Sequence, residues 1–496
     1  MPILRKLSLI SILFLIFGLT VRLVQYFHNR SLWYDEASVA LNIINRDYLE
    51  LLQSLDYNQA APPGFLWIEK TIVQIGGNNE YSLRLFPLIA GVISLFTFYY
   101  FARRYASLTT TTIAIALFSC LRYLVYYSTE VKQYSSDVMV ALLLSLLLIP
   151  LCQQILTKNQ VLLLIVVGTV AIWLSHPAVF ILAGIELGYL LVAPRAKFKV
   201  LVLNRLPVYI TWLISFAALY WFTINNTMGN ESLMSSWRDR FPNSVLDLVW
   251  LLDSWGRFFH RPLGFIAFVD GVAMVAFAVG CVAYYRNNKQ IFIALIGPFV
   301  ATLIASYLQK YPFRDRLVLF LAPFAILIMA EGISFLLTQF PSQLIYVKIL
   351  GLVMLLVILV PPLIRTSQLI VNPEYKEEVR PALAYIKSSQ QPGDSLYVYR
   401  GGKNQFTYYA PKYGYQQGDY FLGEYKLPDD GVITADEKAP LEQEIQQLRG
   451  KERVWFLLKV SEIEQQEFLL YLNVIGKQIE RFEQPSVLVY LYDLST

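Results

Sequence analysis

The chain has 496 residues, of which 56% are hydrophobic and 16% charged, with a formal net charge of +5. That apolar content excludes an ordinary soluble domain and places the chain among membrane proteins. So small a charge on so long a chain gives no footprint for nucleic acid, and Cys120, Cys152 and Cys281, each in or at the end of an apolar run, exclude a disulfide framework and offer no zinc spacing.

Arg5-Lys6 opens an apolar run that reaches Phe27. No small-residue cleavage site follows and further apolar runs do, so this reads as an uncleaved first helix. A bilayer span needs roughly 20 apolar residues. By that measure the spans are 7–27, 82–102, 108–128, 136–153, 160–175, 177–193, 206–224, 263–285, 290–308, 316–337 and 345–365. The weakest boundary is Ser175-His176-Pro177. Short cationic loops belong in the cytoplasm. Arg5-Lys6, Arg103-Arg104, Lys158, the Arg195–Arg205 group, and Arg286 with Lys289 mark every second loop, as alternation requires. The expectation is an α-helical polytopic protein of the plasma or inner membrane, with a cytoplasmic N-terminus. Many of the 33 Tyr and 31 Phe fit interfacial belts.

On this topology the outer segments are 28–81, the short stretch Ser128–Ser135, residues 225–262 and the charged Lys310–Asp315. Residues 1–371 form the membrane region. The tail, 372–496, turns polar and turn-rich. Tyr375–Ser389, Leu441–Leu448 and Glu462–Leu472 read as helices, and Ser395–Tyr399, Val454–Leu458 and Val487–Tyr492 as strands. Their alternation predicts a small extracytoplasmic α/β domain. Gly401-Gly402 after the first strand reads as a turn, with a phosphate loop as the rarer alternative.

Four places could carry chemistry. Trp33-Tyr34-Asp35-Glu36-Ala37 puts adjacent carboxylates just past the first span; Asp35 also suits a helix N-cap, and a cap can fix a reactive carboxylate. In Tyr126–Asp137, a helix would set Glu130 beside Tyr134 and Gln133 beside Asp137, whereas a solvated loop would pair Glu130 with Lys132. Lys310-Tyr311-Pro312-Phe313-Arg314-Asp315-Arg316 places three cations on the side where cations are disfavoured. A bound phosphate would account for them, as would snorkelling. Lys70 and Arg84, flanking the second span, could belong to the same cationic site. His176 could hydrogen-bond a sugar or phosphate, or be a satisfied structural residue. Glu186 and Asp270 fall inside predicted spans and support a transport reading.

Carboxylates and cations from distant segments thus share one membrane face. An enzyme there must draw its donor from the bilayer, and a polyprenyl-phosphate sugar meets that need. A carboxylate takes the proton of the acceptor hydroxyl while the acceptor oxygen attacks the anomeric carbon, and cations stabilise the departing phosphate.

At these residues the chain resembles the GT-C glycosyltransferases, and within them the glycosyltransferase-39, protein-mannosyltransferase-like family that includes bacterial aminoarabinose transferases. The resemblance rests on Asp35-Glu36, Ala61-Pro62-Pro63-Gly64, Ser82-Leu83-Arg84-Leu85-Phe86-Pro87, Glu130–Tyr134, and Tyr311–Arg316 followed by Pro323. It implies Asp35 as general base supported by Glu36, Glu130 as a second site residue, and Arg84 with Arg314 or Arg316 at the lipid phosphate. It implies an inverting transfer from a polyprenyl-phosphate sugar to an extracytoplasmic glycan, lipid or protein. Some members bind a divalent metal, which would fall on Asp35 and Glu130. No loop is long enough for the β-trefoil domain of eukaryotic members, and the α/β tail is a departure from them. The competing readings are a transporter or lipid-linked-sugar flippase, which should show repeats and broken midplane helices, and a receptor whose work lies in the tail.

Overall fold

The computed structural model describes residues 2–152, 154–225, 229, 234–235, 237–428 and 434–495. Within the expected outer segment 225–262, residues 226–228, 230–233 and 236 lie outside the described residues. The chain forms two compact units, one of Met1–His28 with Arg46–Pro373 and one of Asn29–Asn45 with Glu374–Thr496.

The first unit is a helical bundle. Eight described helices are long and apolar enough to cross a membrane: Lys6–Phe27, Glu80–Tyr105, Tyr134–Leu151, Ala196–Ile224, Phe268–Asn287, Lys289–Tyr307, Asp315–Thr338 and Ile345–Val371. Leu108–Cys120 and Arg122–Thr129 make a ninth as a pair bent by 62°, and Lys158–Leu174 and Ala178–Val192 are shorter apolar helices. Together they cover the eleven predicted spans. The weak boundary falls where expected. The first short helix ends at Leu174, Ser175 is extended, and Pro177 caps the next helix, in keeping with helices ending at or before the residue that precedes a proline.

Small residues let the helices meet. A Cβ added to Gly280 would stand 1.8 Å from the Ile328 carbonyl oxygen, and one on Gly332 would stand 2.2 Å from that of Ala276. The backbones of Phe268–Asn287 and Ala322–Thr338 therefore touch directly, the close approach that drives helix association where lipid is as apolar as leucine. Gly184 and Gly297 bring Ala178–Val192 against Lys289–Tyr307 in the same way. Asp315–Thr338 is almost wholly buried in the bundle, whereas Ile345–Val371 exposes Ile345, Ile349, Leu352, Leu356 and Ile364, the apolar face a lipid-facing helix requires.

The second unit is built on a five-stranded sheet. The strands are β1 (Ser395–Val398), β2 (Tyr420–Leu422), β3 (Val454–Leu458), β4 (Lys477–Gln484) and β5 (Val487–Asp493), in the order β2-β1-β3-β5-β4. β1 is parallel to both neighbours, while β5 is antiparallel to β3 and β4. Every residue of β1 and β3 is buried, as parallel strands covered on both faces must be. The helices Val379–Ser389, Ala435–Gln446 and Glu462–Ile475 match the predicted set, with the first starting later and the second earlier than expected. Gly401-Gly402 forms a single 3-10 turn leading into Lys403–Tyr409, and a Cβ on Gly401 would come within 2.3 Å of the Lys459 carbonyl oxygen. Close packing explains that glycine. Residues Asn29–Asn45 belong to this unit through the helix Tyr34–Asn45, which packs on Lys403–Tyr409.

Candidate active site

Asp35 and Glu36 sit in the first turn of the helix Tyr34–Asn45, where carboxylates complement the unpaired amides and the positive end of the helix dipole. The helix begins at Tyr34, so Asp35 lies inside the first turn and the N-cap expectation is not met. Glu36 is fully buried and reaches back to accept the Trp33 N–H at 3.4 Å, whereas Asp35 is only partly buried. Ser38 and Asn42, one and two turns on, are also buried; Ser38 Oγ accepts from Asn404 Nδ2 at 2.8 Å and Asn42 Nδ2 donates to the Ser38 carbonyl. Burial and the neighbouring Asp35 charge push the Tyr34 hydroxyl pKa up, partly countered by Arg400 and Lys459. Arg400 and Lys459 of the tail thus act on the Tyr34 hydroxyl alongside Asp35.

In the helical unit, the 3-10 turn Tyr127–Thr129 ends at Glu130, whose backbone is extended. The helix restarts at Tyr134. Asp137 N–H bonds the Gln133 carbonyl at 2.9 Å, so the expected one-turn relation holds for that pair; the helix break removes it for Glu130 and Tyr134. The solvated-loop alternative fails as well, because Glu130 and Lys132 are both buried. Lys132 Nζ donates to Gln59 Oε1 at 2.5 Å and Ser135 Oγ to the Pro87 carbonyl at 3.0 Å, fastening this segment beside Pro62-Pro63 and the helix Glu80–Tyr105.

The structure brings three of the expected residues together here. The Arg316 guanidinium lies 5.5 Å over the Tyr134 ring, within the range of a cation–π contact. Tyr134 meets Tyr127 edge-on at 4.9 Å, and Glu130, Arg316 and Tyr134 all act electrostatically on the Tyr127 hydroxyl. Arg314 is not part of this cluster. It bonds Asp253 at 3.3 Å, on the helix Leu248–His260, and burial together with Arg257 lowers its pKa.

Arg84 and Lys70 are both buried. Arg84 lies in the second turn of Glu80–Tyr105, near Tyr26, and the Lys70 ammonium stands 5.9 Å over the Tyr48 ring. His176 is half-buried and its Nε2 has no hydrogen-bond partner among the described residues; burial pushes its pKa down to about 4, which leaves it neutral at pH 7.

One expectation is corrected by packing. Glu186 is tied to Arg205 at 3.2 Å and accepts the Tyr209 hydroxyl at 2.7 Å, so it is a paired structural carboxylate. Asp270 does fall inside a span, in the first turn of Phe268–Asn287, with His260 Nδ1 3.7 Å away. Two other residues carried a readable signal and were missed. Arg22 interrupts the first apolar run; it is buried and donates to the carbonyls of Gly18 and Leu124 at 2.9 and 3.4 Å. Glu69, beside Lys70, is fully buried with neither carboxylate oxygen hydrogen-bonded among the described residues, and burial pushes its pKa well above the usual carboxylate range. Among the described residues no group of three or more His, Cys, Asp and Glu side chains could hold a metal ion, and Asp35 and Glu130, the carboxylates expected to take one, belong to different units.

Residues 60–221 match the family described as dolichyl-phosphate-mannose-protein mannosyltransferase. No curated protein matches the chain. Among solved structures, the crystal structure of ArnT from Cupriavidus metallidurans bound to undecaprenyl phosphate is similar at 10% identity over 97% of each chain, with a TM-score of 0.56. ArnT from the same organism in the apo state is similar at 12% identity, over 97% of this chain and 98% of that one, with a TM-score of 0.52. The oligosaccharyltransferase of Archaeoglobus fulgidus in complex with Zn and sulfate is similar at 12% identity, over 98% of this chain and 73% of that one, with a TM-score of 0.51.

Proposed function

For a multi-pass membrane protein that carries the GT-C fold, we propose a glycosyltransferase that moves a sugar from a polyprenyl phosphate to a hydroxyl of an extracytoplasmic glycan, lipid or protein. The observation that carries the proposal is the Asp35-Glu36 pair. One carboxylate is buried and engaged with backbone, while its neighbour is left partly exposed in the first turn of a helix. A carboxylate held in this way is an oriented base with access to an acceptor.

In the proposed reaction, Asp35 takes the proton of the acceptor hydroxyl. The acceptor oxygen forms a bond to the anomeric carbon from the side opposite the phosphate, and the carbon–oxygen bond to phosphate breaks with inversion. The phosphate leaves on its lipid as a weak base and needs no strong acid. Arg316, on the tyrosine cluster with Glu130, and the buried Arg84 and Lys70 are the cations proposed to hold it, since guanidinium groups match phosphate with paired donors. Tyr134 orients Arg316, and His176 is a neutral donor or acceptor for sugar or phosphate. Arg314 is a weaker candidate, because its guanidinium is committed to Asp253.

The resemblance of ArnT supports a polyprenyl-linked donor, because that structure holds undecaprenyl phosphate. A transport reading loses its support in the pairing of Glu186 with Arg205. Mass spectrometry of envelope glycans, lipids and proteins, with and without the chain, tests the proposal. A chain-dependent glycosylated product with release of polyprenyl phosphate is expected. Movement of the lipid-linked sugar across proteoliposomes with no transfer would overturn it.

A further inference from the structure

Residues 31–34, the three that lead into the helix of Asp35 and its first residue, offer four consecutive backbone amides, and each ends on a side chain. Ser31 N–H donates to Glu378 Oε1 at 3.0 Å, Leu32 N–H to the Tyr409 hydroxyl at 2.8 Å, Trp33 N–H to Glu36, and Tyr34 N–H to Glu377 Oε2 at 2.8 Å. Three of these four acceptors come from the tail, more than 340 residues away in sequence. The same stretch is gripped by other groups. Ser31 Oγ donates to Glu378 Oε2 at 2.9 Å, Arg380 donates to the Asn29 carbonyl, and the Lys376 ammonium lies 3.4 Å over the Trp33 ring.

The amides at a helix start have no partner within the helix, so an external acceptor there fixes the position and tilt of the first turn. Glu377 and Glu378 are both buried, and a buried carboxylate is held only where it is matched. Glu377 is matched three ways, by Tyr34 N–H, by the Gln405 amide and by Lys459 Nζ at 3.4 Å. Neither glutamate takes part in the ladders of the five-stranded sheet. Their side-chain bonds run to the lead of the acidic helix and, for Glu377, to Gln405 and Lys459, while the Glu378 N–H donates to the Pro485 carbonyl at 3.1 Å.

We propose that Glu377 and Glu378 are positioning residues, by which the tail domain sets the first turn of the Tyr34–Asn45 helix and so aims the Asp35 carboxylate. The role of aim rests on the reading of Asp35 as the base; the grip on residues 31–34 does not. The tail is then part of the catalytic apparatus, although none of its residues needs to touch substrate.

The test uses the full chain in lipid nanodiscs with Glu377→Ala, Glu377→Gln and the double variant Glu377→Ala/Glu378→Ala. Misplacing a reacting group by an ångström costs about 10²-fold in rate, so Glu377→Ala should lower kcat by about 10- to 100-fold while the donor KM stays within about twofold. Glu377→Gln keeps an oxygen acceptor for Tyr34 N–H and should recover most of the loss. Hydrogen exchange should quicken over residues 31–45 in both Ala variants and stay unchanged in β1, β3 and β5. Wild-type kcat in the double variant, or exchange that rises equally throughout the sheet, would overturn the proposal. Full turnover in Asp35→Asn would instead remove the base assignment and leave the exchange result standing, so the two failures are read separately.

Discussion

The Arg316 guanidinium is stacked over the Tyr134 ring at 5.5 Å, while Arg314, two residues earlier, turns away to Asp253. One cationic motif therefore splits into a group beside the buried Glu130 and a group on the Leu248–His260 helix. Hydrogen bonds to charged partners are worth about 1.5–3 kcal/mol, so Arg316→Ala should raise the donor KM by about 10- to 100-fold. Arg316→Lys should restore part of it, because an ammonium keeps the charge and loses the fork. Arg314→Ala should leave the donor KM nearly unchanged. Steady-state kinetics over a donor series decides this, and an unaltered KM in Arg316→Ala would take Arg316 out of the phosphate site.

Glu186 and Arg205 form a buried pair between the helices Ala178–Val192 and Arg195–Leu219. Removing one partner strands a charge, at a cost of about 3–5 kcal/mol. Glu186→Ala should therefore lower the thermal stability of the detergent-solubilised protein sharply, while kcat per folded molecule stays near wild type. A Glu186→Ala protein as stable as wild type, with turnover lost, would make the pair functional and reopen the transport reading.

Two buried groups should shape stability against pH in opposite senses. The folded pKa of His176, about 4, lies below its usual 6.5. Its contribution is complete above pH 6.5 and is lost as pH falls from there toward 4. The folded pKa of Glu69 is raised above its usual 4.5, so its contribution is complete below pH 4.5 and is lost as pH rises through the folded pKa. His176→Gln should flatten the decline in melting temperature between pH 6.5 and 4, and Glu69→Gln should flatten the loss on the alkaline side. A His176→Gln melting profile parallel to wild type between pH 6.5 and 4 would show that His176 carries no buried penalty.

Much of the fold was legible because its signals are local. Apolar runs gave the spans, and the buried strands β1, β3 and β5 announced themselves as hydrophobic stretches. The two strands without such a signal, β2 and β4, are the edges of the sheet. β2 has three residues, and β4 reads Lys-Gln-Ile-Glu-Arg-Phe-Glu-Gln, charged as an exposed edge needs to be. Residue chemistry was legible at Asp35, Glu36 and Glu130, but their surroundings were not. The break after Thr129 carries no proline or glycine, and the reach of Glu377 to Tyr34 spans more than 340 residues, a distance over which no periodicity speaks. Arg22, a charge within the first apolar run, and Glu69, beside Lys70, are legible as residues, but their burial depends on packing with segments remote in sequence.

The most direct measurement is single-turnover transfer by Asp35→Asn in nanodiscs, supplied with the lipid-linked sugar that wild type consumes. Asparagine keeps the shape and loses the proton acceptor, so transfer should fall by about 10²–10⁴-fold with donor binding and melting temperature preserved. Transfer at the wild-type rate from a folded, donor-binding Asp35→Asn protein would contradict the assignment of Asp35 as the base.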